Sequence, residues 1–449
     1  MTEKLSMDWF EERESSLERG VEERGHMRTV ANNVILHLHP TRVPAEALRF
    51  TYTWGLGGIS TVLAVMLVLT GLLLMFRYDA DIERAYTSIQ ILETQVVFGS
   101  LIRAIHHWSA NLLVVTVFLH LVRVFYTAAF KKGRAVNWLV GLALFLIVLA
   151  FNFTGYLLPW DQLSYWAITV STSLFDYIPT VGSAIGHFFT AGPQVGQGAL
   201  RNFYAIHVAL LPVLLAITMT YHFWKLRKNG GISVPERPQC QPVERVTTIP
   251  NLIQIEFAVL AVVVVGVVIW AMLVPAPLGE MANPARSPNP AKAAWYFSGL
   301  QELLLHMDAL AAILLVGIVL VGIAMLPLLD CSSADIGLYF RSNIGRKAAL
   351  LGAFLSLDLV PLLVIGDEYW FDLPALIPGL PSFIANGLIP LLVILLILTL
   401  VYFAARAGFK ANHSEALTGV FTFIIVSLVI LTVVGVYFRG PNMALVLPF

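Results

Sequence analysis

The chain alternates long apolar runs with short polar breaks. A run of about twenty apolar residues can cross a bilayer as a helix. Nine such runs are present, at roughly 52–76, 96–126, 137–157, 201–225, 254–274, 300–328, 347–365, 383–404 and 417–437. The predicted fold class is all-α, a polytopic transmembrane helical bundle. The seventh run is the weakest, because Asp358 and Pro361 interrupt it. The break at 158–200 is too long for a simple connection. Its aromatic and apolar character (PWDQLSYWAITVST, FDYIP, AGPQVGQGALR) predicts short amphipathic helices folded onto the membrane surface. Segment 275–299 falls on the same side, so the two together are expected to roof a pocket.

Charge orients the bundle. Lys131, Lys132 and Arg134 follow the second run, Lys225, Arg227, Lys228, Arg237 and Arg245 the fourth, Arg341, Arg346 and Lys347 the sixth, and Arg406 and Lys410 the eighth. Stretches 158–200 and 366–382 hold no Lys or Arg. Positive loops stay inside, which predicts a cytoplasmic N-terminus and an outer C-terminus. The Gly- and Pro-rich stretch 229–250 divides the chain. The expected parts are a cytoplasmic amphipathic segment at 1–50, a four-helix domain at 51–235 and a C-terminal membrane domain at 236–449. Composition agrees: 58% of residues are hydrophobic and 12% charged, with mean hydropathy +0.78. A soluble domain carries about twice that charge. The first 25 residues are strongly charged, against a cleavable signal peptide. The opening MDWFEERESSLERGVEER reads as a surface-lying helix or, equally well, a solvated one. With two cysteines, Cys240 and Cys331, and no CxxCH, a disulfide framework, a cysteine zinc site and thioether heme attachment lack support.

The candidate chemistry lies in four histidines. His106 and His120 are fourteen residues apart in RAIHHWSANLLVVTVFLHLVR, and His207 and His222 are fifteen apart in the fourth run. Fourteen residues nearly close four helical turns, so both rings leave one face, roughly 21 Å apart along the axis. Polar groups inside a bilayer are functional by default. Two helices so equipped can clamp two stacked hemes, His106 with His207 and His120 with His222. Gly57 and Gly71 in the first run, and Gly141 and Gly155 in the third, repeat the fourteen-residue interval where porphyrin faces would press on backbone. Arg103 and Arg123 lie one turn beyond the ligands, where each can pair a heme propionate; Arg123 equally fits a cytoplasmic anchor. His107 points about 100° away from His106 and is expected to be a non-ligand. Iron with two histidine ligands has no site for oxygen or substrate, which points to electron transfer.

The pieces DWFEER, LGGIS…TG, LIRAIHHWSAN…LHLVR, FTGYLLPWDQLSYWA, IPTVGS, RNFYAIH…HFWKLRKNGGIS and PNPAKAAWYF resemble the cytochrome b subunit of quinol–cytochrome c reductases, the cytochrome bc and chloroplast-type cytochrome bf complexes. The resemblance is dense from residue 8 to about 235, thins near 297 and fades after about 330. It implies a heme-bearing N-terminal domain fused to a subunit-IV-like part, in a bacterial-type inner membrane. It also implies a proton-translocating oxidoreductase that oxidises quinol (menaquinol or another) at an outer site and reduces quinone at an inner one. The implied partners are a Rieske iron–sulfur protein, a c-type cytochrome and a second copy of the chain. Tyr156, the loop Pro159–Trp166, Trp295 and Tyr296 would form the outer site, and Glu256 the inner one unless it is a snorkelling carboxylate. Gly55 stands where the chloroplast-type branch has a cysteine that holds an extra heme, so two non-covalent b hemes are expected. The family's Pro-Glu-Trp-Tyr becomes Ala293, Ala294, Trp295 and Tyr296. Glu302, two turns on, is the candidate replacement acid, with a pKa expected to be raised by burial; its alternative is a structural pair with a loop residue. Two other functions stay open: a diheme anchor serving a hydrogenase- or dehydrogenase-type partner without a Rieske protein, and a cofactor-free transporter. An absorption spectrum of the purified protein separates these readings, since an absence of reducible b-type bands would end both redox ones.

Overall fold

The computed structural model describes residues 39–235, 243–332, 336–371 and 373–447. The DWFEER opening lies outside them. Among the described residues, nine helices are long and apolar enough to cross a membrane. These are α1 (Leu56–Met75), α3 (Gly99–Tyr126), α4 (Ala135–Leu157), α7 (Gln197–Lys228), α8 (Thr248–Leu273), α10 (Ala309–Leu329), α11 (Asn343–Tyr369), α12 (Ile384–Phe409) and α13 (His413–Tyr437). Shorter helices fill the breaks: α2 (Ala85–Gln95), α5 (Gln162–Ser173), α6 (Gly182–Thr190) and α9 (Trp295–His306). The polytopic helical bundle read from the apolar runs is the fold. A two-stranded antiparallel ribbon, Arg42–Pro44 with Arg245–Thr247, ties the segment before α1 to the start of α8.

Helices α1, α3 and α4 share a core of Leu63, Met66, Leu113, Val114 and Val148, which α8 completes with Val267. A second cluster, Leu121, Phe125, Trp138, Leu142, Leu326 and Phe421, joins α3 and α4 to α10 and α13. Helices α11 and α13 cross where small residues let backbones meet. A Cβ on Gly352 would fall 2.2 Å from the Gly419 carbonyl oxygen. Asp358 and Pro361 leave α11 unbroken, and Ser342 caps its first turn by accepting from the amides of Ile344 and Gly345, each at 3.0 Å.

One boundary differs from the reading of the apolar runs. The run at 300–328 is two helices, because Asp308 stops the first and caps the second, accepting from the Leu310 amide at 3.0 Å. Glu302 therefore belongs to the short helix α9 and not to a membrane span. Helix α9 is seated on α13 through Gly299, beside Thr432, and Gly435, beside Ser298.

The break at 158–196 folds as short helices. Asp161 caps α5, accepting from the Ser164 amide at 2.9 Å, and its other oxygen accepts from the Gly279 amide at 3.1 Å. The Gln162 amide donates to the Glu280 carbonyl at 2.7 Å. These bonds lash the two roofing segments together.

Candidate functional site

His106 and His207 face each other across the bundle, ring centres 6.4 Å apart. Two metal–imidazole bonds of about 2 Å each, plus the two ring radii, fill such a gap. Thr70 Oγ1 donates to the Met66 carbonyl at 2.7 Å, so it accepts from His106 Nδ1 at 2.9 Å. Thr154 Oγ1 donates to the Ala150 carbonyl at 2.8 Å and accepts from His207 Nδ1 at 3.1 Å. With the proton on Nδ1, each ring offers its Nε2 lone pair to a metal, as an oriented ligand must. The sequence reading missed these threonines; the signal was the Thr-Gly pair standing at both 70–71 and 154–155.

The four glycines sit at the four rings. A Cβ would fall 3.3 Å from His106 at Gly71, 2.6 Å from His207 at Gly155, 3.5 Å from His120 at Gly57 and 3.5 Å from His222 at Gly141. The pairs thus fall into an upper set (His106, His207, Gly71, Gly155) and a lower one (His120, His222, Gly57, Gly141). Among the described residues, no three His, Cys, Asp or Glu side chains gather into a metal cage. At the lower set, His222 Nδ1 is buried, and among the described residues no side chain bonds to it. Arg123 lies 4.9 Å over the Tyr52 ring, and among the described residues its buried Nη2 has no hydrogen-bond partner, a geometry that suits an anionic group. Arg103 differs: it is ion-paired with Glu93 and donates to the carbonyls of Ala276 at 3.0 Å and Pro277 at 2.6 Å. Those bonds make it a fastener of the roof. His107 packs on Trp108, away from the pair.

A cavity of about 300 Å³ lies under the roof, walled by Phe153 of α4, by Leu163, Trp166 and Val170 of α5, and by Phe297, Leu300 and Leu304 of α9. It belongs to the upper set's end of the bundle, since α4 also carries Gly155 and Phe151, whose ring meets His207 at 5.4 Å. Trp295 and Tyr296 stand behind the wall: Trp295 Nε1 donates to Asn111 Oδ1 at 2.5 Å and the Tyr296 hydroxyl to the Asn152 carbonyl at 3.3 Å. Burial, with Tyr156 nearby, pushes the Tyr296 hydroxyl above its ordinary range. The lining residues of α9 were missed by motif reading, although 297, 300, 301 and 304 are spaced as one helix face.

Glu302 corrects an expectation. It lies on the opposite side of α9 and does not line the cavity. Its carboxylate is 0% exposed, paired with Arg439 at 2.6 Å and His306 at 3.1 Å. Burial alone raises the carboxyl, but the hydrogen bonds from His306 and Arg439 outweigh it and hold the group below the usual range, not above it. Glu302 is a structural partner here.

At the other end of the bundle, Glu256 Oε1 accepts from His39 Nε2 at 3.0 Å. His39 had no part in the sequence reading.

Comparison with known proteins adds the following. Residues 44–230 match the cytochrome b/b6/petB family model. Cytochrome b6 of Porphyra purpurea is 39% identical over 223 residues, covering 50% of this chain and 95% of its own. Cytochrome b6 of Heliomicrobium gestii is 39% identical over 224 residues, covering 50% and 98%. A chain of a solved hyperthermophilic respiratory Complex III is similar in fold with TM-score 0.65 at 21% identity, covering 93% of this chain and 99% of that one.

Proposed function

The chain belongs to the cytochrome b/b6 family and is thus a membrane-embedded oxidoreductase subunit of electron transport; from that premise we propose that it is the diheme subunit of a Rieske/cytochrome b type quinol:cytochrome c oxidoreductase. The observation that carries this reading is the roofed apolar cavity at the same end of the bundle as His106 and His207. A diheme anchor needs no such cavity.

When bound, b hemes would supply one-electron transfer between the membrane faces. His106 and His207 would hold the outer heme and His120 and His222 the inner one. Thr70 and Thr154 fix the outer ligand rings, Gly57, Gly71, Gly141 and Gly155 would leave room for the macrocycles, and Arg123 would take a propionate. The walls of the outer cavity exclude water from the quinol headgroup, with Tyr156, Trp295 and Tyr296 bracing them from behind. Glu256 with His39 holds and moves a proton at an inner quinone site. The N-terminus is cytoplasmic and the C-terminus outside, and a boundary near 235 separates the heme domain from the C-terminal membrane domain. A Rieske protein, a c-type cytochrome and a second copy of the chain complete the assembly.

The test is purification of the complex from membranes. Quinol-driven reduction of b-type bands with a co-purifying Rieske subunit is the expected result; a hydrogenase- or dehydrogenase-type partner in its place overturns the reading. Gly55 offers no thiol. Acidified organic solvent is therefore expected to extract all heme from the denatured chain, and a heme that stays on the polypeptide contradicts this.

Packing yields a further expectation. Thr154→Val keeps the volume of Thr154 but removes a side-chain acceptor for His207 Nδ1. Changing a partner behind a metal ligand typically costs 10–100-fold in metal affinity. The variant is expected to release the outer heme at detergent and denaturant levels the unaltered protein survives, as followed by the heme-to-protein ratio.

A further inference from the structure

The outer cavity has apolar walls, and its polar side chains are already engaged, with one exception. Ser171 Oγ donates to the Ala167 carbonyl at 2.7 Å, and Trp166 Nε1 to the Asn283 carbonyl at 3.3 Å. Gln301 is engaged at both ends: its Nε2 donates to the Ala291 carbonyl at 2.7 Å and its Oε1 accepts from the Ala293 amide at 2.7 Å. Lys292 is the one charged residue in the lining. Its ammonium carries three donors, of which one reaches the Val436 carbonyl at 2.8 Å. Among the described residues no carboxylate pairs with it.

We propose that Lys292 is the headgroup-binding residue of this cavity, its ammonium donating a hydrogen bond to an oxygen of the quinol or quinone. A quinone is an apolar ring with oxygens at its poles. It suits a pocket with apolar walls and a single cationic donor, since ligand sites pair an apolar lining with a few placed polar groups. A carbonyl and a hydroxyl oxygen both carry lone pairs, so the same ammonium serves the oxidised and reduced forms. The bond to Val436, at the end of α13, holds the side chain in place. Gln301, by tying down Ala291 and Ala293, fixes the backbone on either side of Lys292. The inference rests on reading the cavity as a quinol site and adds the group that recognises the ligand.

The experiment uses the purified complex, with a short-chain naphthoquinol for turnover and the oxidised naphthoquinone for equilibrium binding. A hydrogen bond to a charged group is worth about 1.5–3 kcal/mol, so Lys292→Met is expected to raise KM and Kd roughly 10- to 150-fold with both hemes kept and kcat changed far less. Lys292→Arg, which retains a cationic donor, is expected to recover most of the affinity. Unchanged KM and Kd in Lys292→Met overturns the proposal. So does loss of heme in that variant, which marks Lys292 as a latch on Val436 and nothing more. The two readings fail separately. Quinol oxidation indifferent to Lys292 sinks this inference alone, whereas lysine-dependent naphthoquinone binding without turnover sinks only the oxidoreductase reading.

Discussion

Replacing His207 with leucine is expected to halve the heme content of the chain and to remove the b-type component nearest the outer cavity. The remaining heme keeps its spectrum, because His120 and His222 belong to a separate set with their own glycines. His106→Leu is expected to give the same product, since its ring opposes His207 at 6.4 Å. Gly155 gives an independent route to that outcome. A Cβ there would lie 2.6 Å from His207 Cε1, a contact that forces the ring to move. Gly155→Val is therefore expected to lose the same heme, whereas Gly58→Val, where added carbon meets nothing within 4 Å, keeps both. Quantitative heme extraction with redox difference spectra checks all four variants. Two hemes retained in His207→Leu, or the loss of both in a folded chain, contradicts the pairing.

The residues differ in how openly the sequence announces them. The spans follow from runs of apolar residues because bilayer thickness sets their length, and the histidine pairs follow because helix geometry turns an interval of fourteen into a face, while the π-helical stretch Ile206–Leu210 takes up the fifteenth residue between His207 and His222. Those rules are local. Where an apolar run continues through a helix end, as at Met307–Asp308, hydrophobicity is silent and a single capping carboxylate decides. Partners distant in the chain are hidden for a different reason. Arg103 reads as a propionate ligand from its spacing, and only the fold brings Glu93, Ala276 and Pro277 to it. Glu302 reads as a free buried acid until Arg439, 137 residues away, is seen against it. The apolar face of α9 was legible by spacing, but the stretch was read for its Trp-Tyr motif, and the cavity wall lies one residue further on. The ninth span has no counterpart in the sequence motifs, yet Thr432 and Gly435 of α13 seat α9 and its end presents the Val436 carbonyl to Lys292.

The C-terminal ion cluster carries the largest expected effect on stability. Glu302 is 0% exposed and Arg439 3% exposed. Arg439 also donates to Glu368 at 2.9 Å and to the Met443 carbonyl at 2.8 Å, so one guanidinium joins α9, α11 and the segment after α13. Removing one partner of a buried pair costs about 3–5 kcal/mol, because the other charge is left unpaired. Arg439→Met is expected to destabilise the chain by about that amount and to loosen the α9 wall of the cavity. Arg439→Met with Glu302→Gln removes the stranded charge as well and is expected to recover part of the loss. The cluster also has a pH signature. His306 Nε2 meets Glu302 and Nδ1 meets Asp367 at 2.7 Å. Burial lowers the imidazole's pKa, but the bonds to Asp367 and Glu302 prevail and lift it from 6.5 to about 9. A raised pKa means that the stabilisation is complete below 6.5 and is lost as pH rises through about 9. Glu302, held low, acts in the opposite sense: its contribution is present above the ordinary carboxylate pKa of 4.5 and falls away as pH drops through the depressed folded value. The network is therefore strongest from about pH 4.5 to 6.5. Thermal unfolding of detergent-solubilised protein is expected to show His306→Gln well below the unaltered chain at pH 6, with the gap narrowing steadily toward pH 10. A gap that stays constant over that range excludes a protonated His306 as part of the clamp, and equal stability of the single and double Arg439 variants excludes a stranded Glu302 charge.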